Sequence, residues 1–150
     1  MPKMPSVQAV TLSILRGHND LLDSVSILPG LVGVKVGDWV EDIDYRNFPM
    51  LSVRRLGGFR HRTRPKQLAF PVIELTSFVQ APRGDLTECE KLFETALEVL
   101  YDAVKYQTQT DSGYLHSIKE TMGTTQFSSL YQDSWRTQGL IQLGLKPPRN

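Results

Sequence analysis

Apolar residues recur at helical spacing near the start of the chain. Val7, Val10, Ile14 and Leu15 stand at i, i+3, i+7 and i+8, one face of a helix. Ser6 is a good N-cap, and Gly17 can close the helix in the left-handed conformation, so a first helix is predicted over 6–16. Leu28-Pro29-Gly30 marks a turn. Val32, Val34 and Val36 then alternate with Gly33 and Lys35, the period of a strand. After a polar connection, a second strand is predicted over 50–56, ended by Gly57-Gly58, and an arginine-rich loop over 59–69. A third strand is predicted over 70–79, with Ile73, Leu75 and Val79 on one face and Glu74 and Thr76 on the other. Pro71 near its start suggests an exposed beginning or an edge.

The strongest periodic signal comes next. Leu86, Cys89, Leu92, Phe93, Ala96, Leu97, Leu100, Ala103 and Val104 form a broad apolar face, which predicts a second helix reaching Tyr106. Thr87 and Glu90 have capping-box spacing at its start. A fourth strand is predicted over 114–122. Residues 123–134 read as a loop that carries Phe127, Leu130 and Tyr131. The last strand runs over 135–145, with Trp135, Thr137, Ile141, Leu143 and Leu145 on one face, and Pro147-Pro148 stops it. The order is α-β-β-β-α-β-β. Strands in blocks favour an α+β fold, a mostly antiparallel sheet of about five strands packed against two helices. The 150 residues suit a single domain over 1–150, with short flexible termini at 1–4 and 146–150.

Composition removes several function classes. Hydrophobic residues make up 40% and charged residues 22%, as in ordinary globular proteins. The net charge of +1 argues against a nucleic-acid coat or a polybasic membrane binder, which work through excess charge. One cysteine, Cys89, forbids an intramolecular disulfide, and its place on the apolar helix face makes it a buried thiol. His18, His61 and His116 are far apart and outside metal-ligand spacing. Neither a nucleophile elbow nor a phosphate-cradling glycine loop is present, so neither a cofactor nor an enzymatic activity is expected. Glu41, Asp42 and Asp44 read as a solvated acidic loop. No stretch reaches the ~20 apolar residues that span a bilayer. A soluble protein of a reducing compartment, without a targeting signal, is expected.

The near-zero charge hides a segregation. Arg54, Arg55, Arg60, Arg62, Arg64 and Lys66 place six of the 17 basic residues within positions 54–66, with no acid between them. The second helix carries Asp85, Glu88, Glu90, Glu94, Glu98 and Asp102 against Lys91 and Lys105. Three readings compete: two solvated faces that cancel, nucleic-acid binding through the arginines with Phe59 and Phe70 for stacking, or self-association of basic loop with acidic helix. The similar size and opposite sign of the two blocks favour self-association. Apolar residues on the 123–134 connection also suggest a contact surface, since loops of that length are otherwise polar.

The element order and several segments resemble the tail-terminator proteins of long-tailed bacteriophages, in particular phages of actinobacteria. The segments are the short first helix, Leu28-Pro-Gly-Leu-Val-Gly-Val-Lys-Val-Gly37, Phe48-Pro-Met-Leu-Ser-Val-Arg-Arg-Leu-Gly-Gly58, the arginine loop, the strand over 70–79, the long helix from about Asp85, and Trp135-Arg-Thr-Gln-Gly-Leu-Ile-Gln-Leu-Gly-Leu145. The resemblance spans about 5–145 and carries no catalytic residues. It implies a structural virion protein that forms a hexameric ring on the last ring of the tail tube. Its implied partners are copies of itself, the major tail tube protein and the head-completion or stopper protein, with DNA passing through the lumen without sequence readout and no membrane. Assembly in the host cytoplasm would precede residence in the virion neck. The alternatives are another neck component, such as a stopper, or a small nucleic-acid-binding module using the basic run. Charge and aromatic placement, rather than a family motif, nominate Arg60, Arg62, Arg64 and Lys66 as subunit or tail-tube contacts. They nominate Glu94, Glu98 and Asp102 as their partners, and Phe127, Tyr131 and Trp135 as supports of the ring.

Overall fold

The computed structural model describes residues 6–19, 25–38, 49–80, 86–128 and 134–149. Helix α1 spans Val7–Arg16 and opens where the sequence predicts. The Ser6 hydroxyl accepts from the Ala9 amide, and Gly17 closes the helix at φ +79° with its N–H on the Ser13 carbonyl. Ser26 and Arg16 then tie the chain down. The Ser26 hydroxyl donates to the Leu15 carbonyl at 2.8 Å, and the buried Arg16 donates from Nε to the Val36 carbonyl at 2.9 Å.

Strand β1 is Lys35–Asp38, later than the valine alternation predicts. Gly30 and Gly33 both take left-handed conformations, which turn the chain through 28–34 and leave Val32 73% exposed. The period-2 pattern therefore holds for the buried Val34 and Val36 only. Strand β2 is Met50–Arg60 and β3 is Ala69–Gln80. The glycine pair does not end β2. The register slips between Arg55 and Gly57, leaving Leu56 as an extra residue, and the ladder resumes with Gly57 opposite Val72. A bulge absorbs what the sequence reads as a stop.

The five-stranded sheet has the order β1-β2-β3-β5-β4, with β4 at Tyr114–Ser128 and β5 at Ser134–Lys146. Only β1 and β2 pair in parallel; the other neighbours are antiparallel. The α+β reading and the order α-β-β-β-α-β-β hold. Two details change. β3 is central rather than an edge, so Glu74 and Thr76 are buried along with Ile73 and Leu75. Pro71 fits there because the β3–β5 ladder skips from Ala69 to Val72, so no partner on that side needs its missing N–H. In addition, β4 runs on to Ser128, so Phe127 is a strand residue opposite Arg136, not a loop residue. The slip between Met122 and Thr125 accommodates Gly123 as another bulge.

Helix α2 is Leu86–Lys105. Thr87 lies inside it, so it is not the capping residue that its spacing with Glu90 suggests. Both helices pack on one face of the sheet: α1 against α2, β1 and β2, and α2 against β3, β4 and β5. A single core joins Val10, Leu15, Phe93, Ala96 and Leu100 to Leu51, Val53, Leu75, Ile141 and Leu143. Cys89 is buried as predicted and helps fix α2 to β3. The Ser77 hydroxyl donates to the Cys89 carbonyl at 2.8 Å, and the thiol donates back to the Ser77 carbonyl at 3.3 Å.

Candidate assembly surface

The basic residues stand on a projecting β-hairpin. β1 meets β2 only over Met50–Val53, so the outer half of β2 has no neighbouring strand among the described residues except β3. Residues 54–60 are accordingly exposed on both faces of the strand. The ladder continues through Phe59 opposite Phe70 and Arg60 opposite Ala69. Phe59 is 63% exposed and leans on Phe70, with ring centroids 5.6 Å apart. The expected loop over 59–69 is thus shorter, because Phe59 and Arg60 belong to β2.

The tip is a hydrogen-bonded turn. The His61 N–H donates to the Leu68 carbonyl at 2.8 Å. Its Nδ1 accepts from the amides of Thr63 at 3.2 Å and Arg64 at 3.1 Å. The Arg64 carbonyl accepts from Gln67 and Leu68, both at 3.1 Å. His61 is therefore a structural acceptor, a role its sequence context does not reveal. The turn holds Arg62, Arg64 and Lys66 out from the molecule, with Arg60 at its base, all four exposed.

Two consecutive glycines set the arm's path. Gly57 and Gly58 have φ +124° and +108°. A Cβ on Gly58 would lie 2.4 Å from both the Phe70 carbonyl oxygen and the Pro71 Cα, so only glycine lets the two strands close here.

The acidic residues line the outer face of α2. Glu94, Glu98 and Asp102 are exposed there, and Glu90 extends the row toward the helix N-terminus. Four-residue intervals put successive carboxylates ~6 Å apart on one side of the helix. Thr87, Glu90, Lys91, Glu94, Thr95 and Glu98 line a shallow open groove of about 500 Å³. The turn at Gly30 approaches the same stretch, since a Cβ there would meet the Thr95 methyl at 3.2 Å. The acidic field extends to the edge of the sheet. Burial first, then the carboxylates of Glu120 on β4 and Glu94, raise the pKa of the Tyr101 hydroxyl above its ordinary value. Glu90, Tyr101 and Glu120 are additions to the predicted site. Glu90 was legible as the residue four before Glu94, whereas Glu120 joins only through the sheet.

The third group lies elsewhere. Trp135 is half-buried on β5, opposite Val79 of β3 and Ser128 of β4, and Phe127 is its near neighbour across the ladder. Val79 is ten residues along β3 from Ala69 at the base of the arm, roughly 33 Å in an extended strand. Trp135 therefore lies at the far end of the sheet from the arm, as does the Phe127 position on β4. Tyr131 and Leu130, like Glu41, Asp42 and Asp44, lie outside the described residues. Among the described residues, no group of His, Cys, Asp and Glu is placed to hold a metal. Cys89 is sealed in the core. The available chemistry is that of charged and aromatic contact surfaces.

The profile of the phage tail termination protein family matches residues 3–150. The chain belongs to that family. The chain is 54% identical to the Gene 22 protein of Mycobacterium phage D29, over its full length and 99% of that protein. It is equally 54% identical to the Gene 22 protein of Mycobacterium phage L5, over 99% of this chain and 98% of that protein. Among solved structures, a chain from the virion of a native gene transfer agent particle superposes with a TM-score of 0.59 at 15% identity, covering 94% of this chain and 95% of its own length. That likeness is one of fold. The resemblance read from the sequence is thereby borne out: this tail terminator is a structural, tail-associated virion protein of bacteriophages and not an enzyme. Among its described residues, no helix is long and apolar enough to cross a membrane.

Proposed function

We propose that the protein closes the head-proximal end of the phage tail tube as a hexameric ring. The ring stops tube growth, seats on the last ring of the major tail tube protein, and presents its other side to the head-completion or stopper protein. DNA passes through its lumen without sequence readout. Assembly takes place in the host cytoplasm, and the product stays in the virion neck. The observation that carries this function is the family match, which runs through essentially the whole chain. Two physical features support it. Charge is segregated into a basic arm and an acidic helix face on a protein of net charge +1, which suits contact between copies rather than retention of DNA. The described surfaces offer contact groups and no reactive site.

Deleting the gene tests the function. Electron microscopy is expected to show tails of uncontrolled length, unattached to filled heads, with both defects reversed by supplying the protein in trans. Normal-length tails joined to heads in the deletion phage would overturn it. Imaging of the neck in intact virions is the direct check: density for this chain is expected between tube and portal, and its absence there would be decisive against the ring.

A further inference from the structure

We propose, resting on that ring, that each subunit holds the next by seating its β2–β3 arm in the acidic groove of the neighbour's α2. Arg62 and Arg64 of one copy face Glu94 and Glu98 of the other. The two patches are complementary in sign, and both are exposed. Among the described residues, none of these four side chains is engaged in an ion pair within its own chain. The arm is also shaped for insertion. Its outer strand is free on the side away from β3 among the described residues, its tip is fixed by His61, and its cations stand on a narrow turn. Glu90, Glu94 and Glu98 line the groove, with Lys91 the one cation in its lining, and Asp102 continues the row of carboxylates to ~18 Å along the helix.

A contact between two different patches is heterologous, and such contacts repeat head to tail until the rotation closes a ring. The acidic half of the pair favours a second copy over DNA as the occupant. A phosphate-binding arm has no use for the carboxylate row, and the row would repel any duplex brought near it. The arm edge resists the other route to self-association. The Leu56 bulge and the flanking Arg54 and Arg55 interrupt and charge the free strand edge, so the contact is made by side chains rather than by an added strand.

The test uses two charge-reversed proteins: Arg62→Glu with Arg64→Glu, and Glu94→Lys with Glu98→Lys. All four positions are exposed, and each protein is first checked for an unchanged melting temperature. Each is supplied in trans to the deletion phage, alone and together. Expected is a loss of infectious particles of about 100-fold with either protein alone, since like charges then face each other at every interface. Expression of both together is expected to recover yield to within about tenfold of wild type, because alternating copies restore opposite charge at every contact of an even-numbered ring. No rescue by the pair overturns the interface, as does full activity of either protein alone. A defect confined to the arm variant would instead assign the arm to DNA or to another virion component, and also overturns it. These outcomes are separate from failure of the terminator function, which the uncomplemented deletion phage shows directly through its tail lengths.

Discussion

Strand β2 divides into two halves that are built by different means. Met50–Val53 lie between β1 and β3 and are buried, Leu51 and Val53 in the core shared with the helices, whereas Arg54–Arg60 are exposed on both faces. The inner half is held by burial of apolar surface, which is non-directional and tolerant of detail. The outer half buries almost nothing on β2 and is held by its ladder to β3, two glycines of unusual conformation and a histidine-fixed turn. Such a division suits a part that must keep its shape while presenting nearly all of its surface to a partner. It also means that the two halves should answer differently to mutation.

The largest effect is expected in the core. Phe93→Ala, which empties a fully buried position beneath the sheet, should destabilise by about 3–5 kcal/mol in denaturant unfolding, with loss of the whole fold. Gly58→Ala strikes the hinge between the halves. The backbone clash with Phe70 and Pro71, added to a left-handed φ, is expected to lower stability by about 2–3 kcal/mol. Its neighbour gives the sharper comparison, because Gly57 has a similar φ and open space: Gly57→Ala should show only backbone strain, about 1 kcal/mol. Equal effects of the two glycine changes would mean that the close strand approach contributes nothing. Ser77→Ala, which removes the hydroxyl bond to the Cys89 carbonyl, is expected to cost about 1 kcal/mol by thermal melting. His61→Ala should leave global stability within about 0.5 kcal/mol while speeding amide exchange at Thr63 and Arg64, so that the arm tip loosens and the core does not notice. Smallest of all, Glu94→Gln should move the Tyr101 phenol back toward its ordinary value in an ultraviolet titration, because it removes one of the negative charges that oppose ionisation.

The fold was legible wherever one face of an element is apolar and the other is not. α1 with its Ser6 and Gly17 ends, and α2 with its long stripe from Cys89 to Ala103, are cases where local pattern and tertiary burial agree. Errors gathered at glycines. Gly57-Gly58 and Gly123 look like strand ends in the sequence, yet each sits in or beside a bulge inside a longer strand. A glycine that permits a bulge and one that ends a strand look alike in sequence, because the difference lies in the partner strand. The central position of β3 was hidden for a related reason: sheet order is a non-local property, and Glu74 and Thr76 gave β3 the alternation of a half-exposed strand. For the assembly surface, the charge blocks were readable because they are contiguous in sequence. The role of His61 in the tip and the contribution of Glu120 to the acidic field were not, since both depend on contacts formed only on folding.

The outermost strand has a consequence for solubility. Among the described residues β4 is the longest strand and lies at an edge of the sheet with no neighbour beyond it, the kind of element that invites a foreign strand to add on. Its pairing with β5 slips after Leu115, after Glu120 and again after Met122, and Lys119 and Glu120 stand exposed along it. An edge broken this often is a poor template for amyloid-like stacking. An edge so interrupted opposes polymerisation of the protein through its own sheet.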